Sequence, residues 1–138
     1  MNFLLEKTQR FAPNILRIGI ALVFLWFGSQ QIINANMWTN LIPAWITSAS
    51  GINAIALVHL NGAFEIVFGL CLFLGYFTRV SAFLLALHML DITFIVGYTS
   101  IGIRDFGLSI ATISIFLHGI DSWCLDRFLI HDKTNNLV

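Results

Sequence analysis

Four apolar runs, each about twenty residues long and set apart by short polar breaks, constrain this sequence more than any other feature. At ~1.5 Å of rise per residue, a helix of that length crosses the ~30 Å hydrocarbon core of a bilayer. Hydrocarbon offers no partner to backbone N–H and C=O groups, so each run has to satisfy its own, as a helix does. The expected fold is all-α: a polytopic membrane protein with a bundle of four transmembrane helices. The spans are placed at about residues 15–33, 54–75, 80–97 and 105–123, in a single membrane domain over 1–138. Composition excludes the soluble alternative. Only 10% of the residues are charged and 58% are apolar, against roughly 25% charge in a soluble domain. The formal net charge is zero and no Lys/Arg run occurs, which leaves no electrostatic basis for binding nucleic acid.

The breaks set orientation. Lys7, Arg10, Arg17, Arg79, Arg127 and Lys133 fall on one side of the bundle and Arg104 alone on the other. This positive-inside bias puts both termini in the cytoplasm. Asn34-Ala35-Asn36-Met37 is a poor cleavage site, so the first span reads as an uncleaved signal anchor. Pro13 suits the first turn of that helix, and Arg17 is expected to snorkel to the headgroups. The connector 34–53 lies on the outer surface, with Trp38 and Trp45 as interfacial anchors. Residues 98–104 read as an outer turn, with Asp105 as the N-cap of the fourth helix. Gly62 and Gly69 share a stripe that lets a neighbouring helix approach closely. Cys71 and Cys124 lie in no CxxC motif and are read as packing residues. The tail from Cys124 is expected to be short and mobile.

The polar residues inside the spans are the candidates for function. Counted from Phe77 at the bend between the second and third spans, Glu65 is 12 residues back and His88 is 11 residues on. Both therefore lie ~17 Å from the turn, facing each other at mid-membrane. A charge there costs on the order of 2.5–3.5 kcal/mol, so Glu65 has to be paired or uncharged. The available partners are His88 and Arg104 reaching down from the outer lip. Asp91, His59, Asn61, Gln30 and Gln31 share the outer half. The set Glu65, Arg104, His88, Asp91, Asn61 and Gln30 fits either a pocket opening outward, for a quinone or a proton relay, or a closed polar network holding the helices in register. His59 and His118 lie near opposite interfaces. The pair His88/Asp91 offers a chelate from one helix face, but a single His converges there and no metal site is assigned.

Several stretches resemble the DoxX family of membrane proteins. They are Leu16-Arg17-Ile18-Gly19 through Phe24-Leu25-Trp26-Phe27-Gly28, Trp38 with Ile42-Pro43-Ala44-Trp45, and Asn61-Gly62 with Glu65 and Gly69. The turn Leu74-Gly75-Tyr76-Phe77-Thr78-Arg79, the pair Arg104-Asp105, and Gly119 through Trp123-Cys124-Leu125-Asp126 complete the set. The resemblance covers about residues 15–127. It implies a four-helix bundle in a prokaryotic cytoplasmic membrane. It also implies a membrane subunit or anchor tied to quinone-linked redox chemistry or oxidative-stress complexes, beside a soluble redox enzyme, and not an enzyme by itself. One branch of the family supplies the membrane subunit of a thiosulfate:quinone oxidoreductase. The possible cofactor is a quinone. The alternatives are a membrane scaffold that forms a homo-oligomer through its glycine stripe, and a small-solute transporter.

Overall fold

The computed structural model of the chain describes residues 2–127. The elements bounded within the described residues include the helices α1 (Asn2–Ile33), α2 (Ala44–Ser50), α3 (Ala54–Leu74), α4 (Thr78–Val96) and α5 (Ser100–His118). Four of them contain segments long and apolar enough to cross a membrane: Phe11–Ile33, Ala54–Leu74, Thr78–Val96 and Ser100–His118. The short α2 and two 3-10 turns, Ala35–Met37 and Thr39–Leu41, form the connector. Trp45 is exposed on α2, as an interfacial anchor would be.

Two helix boundaries differ from expectation. Pro13 sits well inside α1, which starts at Asn2. The chain ahead of Pro13 continues the helix instead of ending at it. The second difference is at the link between α4 and α5. Only residues 97–99 link α4 to α5, because Thr99 caps α5: its hydroxyl accepts from the Gly102 N–H at 3.1 Å. Asp105 is therefore not the cap. It lies inside the helix, past the first turn, and is buried. The span moves with it, to Ser100–His118 from the expected 105–123.

α1 packs mainly on α3, and α4 on α5; the two pairs meet through α3–α4 and α1–α5. Ile20, Ala21, Phe24, Leu72, Leu85, Met89 and Ile115 fill the seam. The α1–α3 contact depends on paired glycines. A Cβ at Gly62 would stand 2.8 Å from Gly28 O, and one at Gly28 would stand 2.7 Å from Gly62 O. Gly69 lies against Phe24 in the same seam. The stripe read at Gly62 and Gly69 is thus used within the chain.

The end of the bundle at the α3–α4 turn is closed by residues 119–127, which fold back on it. Arg17 does not snorkel. It is 1% exposed and its Nε donates to Asp121 Oδ2 at 2.6 Å. Its Nη1 donates to the carbonyls of Leu72 and Phe73 at 2.6 and 2.7 Å, satisfying the C-terminal end of α3. Asp126 reaches the start of α4. Its carboxylate accepts from the Phe77 and Thr78 N–H groups, both at 2.8 Å, and from the Thr78 hydroxyl at 2.9 Å. Cys124 is fully buried against Gly75. Burial pushes its thiol above the ordinary range, although hydrogen bonds from Thr78 and the Asp121 N–H oppose this. A protonated, enclosed thiol is inert. The segment 124–127 is therefore a clamp, not a mobile tail, while Lys133 and the rest of the tail lie outside the described residues, as do the side chains of Lys7 and Arg10.

Candidate functional site

The other end of the bundle is built differently. A cavity of about 280 Å³ lies between the connector and the connector-side halves of the spans. Its wall is mostly apolar, with Phe27, Trp38, Leu57, Met89 and Ile92 among its residues. Trp38 meets Phe27 edge-on, with ring centroids 5.8 Å apart. Leu41, Ile42, Pro43 and Ile46 from the connector also line it. The 3-10 turns and the extended Pro43 carry the connector back over the helix ends and bring those side chains to the cavity.

Glu65 forms part of the lining and is 2% exposed. The alignment about the bend holds: His88 Nε2 lies 3.6 Å from Glu65 Oε1. That is an electrostatic approach, too long for a hydrogen bond. His88 Nε2 is buried and has no hydrogen-bond partner among the described residues. Its ring lies against Phe64 at 4.6 Å. Glu65 is instead bonded by amides. Gln31 Nε2 donates to Oε2 at 3.0 Å, and Asn61 Nδ2 donates to Oε1 at 3.2 Å. Asn61 Nδ2 also donates to Gln31 Oε1 at 2.6 Å. The three side chains close a network across the α1–α3 seam, next to the Gly28–Gly62 crossing that lets them meet.

The other candidates divide. Arg104 lines the cavity but does not reach Glu65. Its Nη2 and Nε lie 2.7 and 2.8 Å from Asp105 Oδ1, and its guanidinium sits 4.5 Å from the centre of the Phe27 ring. An adjacent acid and an aromatic face hold it at the rim. Asp91 also lines the cavity and is exposed, with no ion-pair partner among the described residues. Gln30 is not part of the site. It accepts from Asn34 Nδ2 at 2.9 Å near the end of α1. Its neighbour Gln31, one position and ~100° further round the helix, takes the place foreseen for it. His59 is exposed on α3 and His118 on α5, and neither lines the cavity. Among the described residues no three His, Cys, Asp or Glu side chains are grouped to hold a metal ion.

The fold and cavity can be set beside known proteins. An uncharacterised protein of Haemophilus influenzae is 31% identical over 85 residues, which cover 62% of this chain and 58% of that relative. The matched stretch thus spans little more than half of that protein. No solved structure matches. The family model described as DoxX matches residues 12–98, from α1 through α4 and including Gly62, Glu65 and Gly69. With well over half of its length matched, four helices able to span a bilayer and the amide–carboxyl network inside the matched region, the chain belongs to the DoxX family.

Proposed function

We propose that this protein is a membrane subunit or anchor for quinone-linked redox chemistry, and that the outer cavity holds the headgroup of a quinone. The observation that carries the reading is the make-up of the cavity. An apolar, aromatic wall encloses a small polar set, the usual composition of a site for a flat apolar ligand with polar ends. Glu65, Gln31 and Asn61 supply hydrogen-bonding groups in the lining, and Arg104 supplies guanidinium N–H groups at the rim. A quinone carries two carbonyls on a ring that the Phe27 and Trp38 side chains suit. Lipid is its ordinary solvent, so a cavity among membrane helices is accessible to it. In this reading a soluble redox enzyme at the membrane surface exchanges electrons with the bound ligand. The membrane is the prokaryotic cytoplasmic membrane, with both termini in the cytoplasm. A homo-oligomeric scaffold built on Gly62 and Gly69 has less support, because both glycines face α1.

The test is direct. A short-chain quinone titrated into the purified protein should quench tryptophan fluorescence to saturation, since Trp38 lines the cavity. Ile92→Trp, which fills the cavity from α4, should abolish the saturable phase while the helical circular dichroism stays the same. Saturable quenching that survives Ile92→Trp unchanged would place the ligand elsewhere and end this reading.

A further inference from the structure

The hydrogen-bond inventory of the cavity goes further than its shape. Asn61 uses both amide protons, on Gln31 and Glu65. Gln31 gives one of its two to Glu65. Arg104 directs Nε and Nη2 at a single oxygen of Asp105, leaving the second Asp105 oxygen without a partner among the described residues. Asp91 adds a carboxyl with no ion-pair partner among them. The cavity therefore has three carboxyl groups against one guanidinium. Three of the four amide protons on Gln31 and Asn61 are committed within the network, two to Glu65 and one to Gln31. What remains for a ligand is acceptors at Glu65, Asp91, the second Asp105 oxygen and the Asn61 carbonyl, against fewer donors: the Trp38 indole N–H, one Gln31 amide proton and Arg104 Nη1.

We infer that the cavity selects a ligand presenting hydroxyl donors over one presenting carbonyl acceptors, with Glu65 as the residue that sets the preference. The inference rests on the quinone reading above, and there it means that the reduced quinol binds more tightly than the oxidised quinone. Glu65 accepts an amide N–H on each oxygen, the bonding a carboxylate takes, and a phenolic O–H donating to a carboxylate makes a short, charge-assisted hydrogen bond. A quinone carbonyl at the same place sets oxygen lone pairs against oxygen lone pairs, in a low-dielectric site where that repulsion is strong. Glu65 has room for such a bond, because a carboxylate offers about four lone-pair positions and its protein partners donate to it twice. The guanidinium at the rim serves an acceptor on the ligand equally in either redox state, so the difference arises at the acceptor-rich wall.

The experiment compares a matched pair, decylubiquinol and decylubiquinone, on the purified protein under anaerobic conditions. Dissociation constants are read by fluorescence quenching and by calorimetry. The native protein should bind the quinol about tenfold more tightly, the effect of one charge-assisted hydrogen bond. Glu65→Gln, which replaces an acceptor with a group that both donates and accepts, should bring the ratio close to one. Equal or tighter binding of the quinone by the native protein would overturn the inference and leave the pocket reading intact. Failure of both ligands to bind, with a lipophilic cation such as tetraphenylphosphonium binding in their place, would overturn both. The ratio on the native protein decides the matter even where Glu65→Gln fails to fold.

Discussion

Two buried acids, Glu65 and Asp121, show how differently this chain handles a carboxyl group. Glu65 is bonded by neutral amides and lies beside an imidazole and a cavity. Asp121 is locked to a guanidinium, with a further hydrogen bond from the Trp123 N–H at 2.9 Å. Burial alone would raise the Asp121 pKa. The Arg17 hydrogen bond, the Trp123 N–H, the Cys124 thiol and the Arg17 charge together overcome that and hold it below its ordinary 3.8. A carboxyl depressed in the folded state adds stability above its unfolded pKa and loses it as pH falls through the folded value. The Asp121 contribution is therefore complete at neutral pH and disappears only below about pH 3.8. Asp121→Asn leaves Arg17 buried without its counter-charge and should cost about 3–5 kcal/mol. Thermal unfolding in detergent at pH 7 should show the loss, and the gap between variant and parent should narrow on acidification below pH 4. A variant as stable as the parent at pH 7 would mean the pair does not hold the end at the α3–α4 turn. The Glu65–His88 approach was readable from sequence because helical rise converts residue counts into depth on both arms of one hairpin. The Arg17–Asp121 pair was not, because its partners are 104 residues apart. It depends on how an aperiodic segment folds back, and periodicity says nothing about that.

At the scale of elements, the crossing of α1 and α3 positions the cavity network, and the crossing depends on two glycines. Gly62→Leu would drive a side chain into Gly28 O and Gln31 Cβ, which a Cβ alone would approach to 2.8 and 2.9 Å. Backbone atoms cannot yield as a flexible side chain can. Overpacking of this kind costs about 1–3 kcal/mol or more, and it should also part Gln31 from Glu65. Gly107→Leu on α5 is the matched control, since a Cβ there meets nothing within 4 Å. Thermal denaturation should show a clear drop for Gly62→Leu and little change for Gly107→Leu. Equal effects would mean that leucine perturbs these helices wherever it is placed. The spacing of Gly62 and Gly69 pointed to a close helix contact, but a stripe alone does not name its partner, and a homo-oligomer fitted it as well as α1 did. The start of α5 misled for a related reason. Arg104-Asp105 interrupts the apolar pattern and resembles a helix start, while the true cap, Thr99, is followed by an ordinary-looking Ser-Ile-Gly. In the structure the charged pair is neutralised internally and held on Phe27, so it lies inside the helix without ending it.

Across the whole molecule the two ends of the bundle have opposite construction, and this bears on how it sits in the membrane. The end at the α3–α4 turn is clamped by Arg17–Asp121 and by the Asp126 cap on α4; the opposite end holds a cavity lined in part by the connector. By sequence, Lys7, Arg10, Arg17, Arg79, Arg127 and Lys133 stand against Arg104. A positive-inside orientation, with Arg104 on the opposite side, is the reading to be tested. Orientation can be read with single cysteines. Cys124 is enclosed and can stay, whereas Cys71 is partly exposed and is replaced by Ala. Tyr98→Cys lies in the link between α4 and α5, where Tyr98 is 96% exposed, and Gln9→Cys lies on the exposed early part of α1. A membrane-impermeant maleimide should label Tyr98→Cys on intact cells and Gln9→Cys only after the membrane is opened. The reverse pattern would invert the protein and place the cavity on the cytoplasmic side.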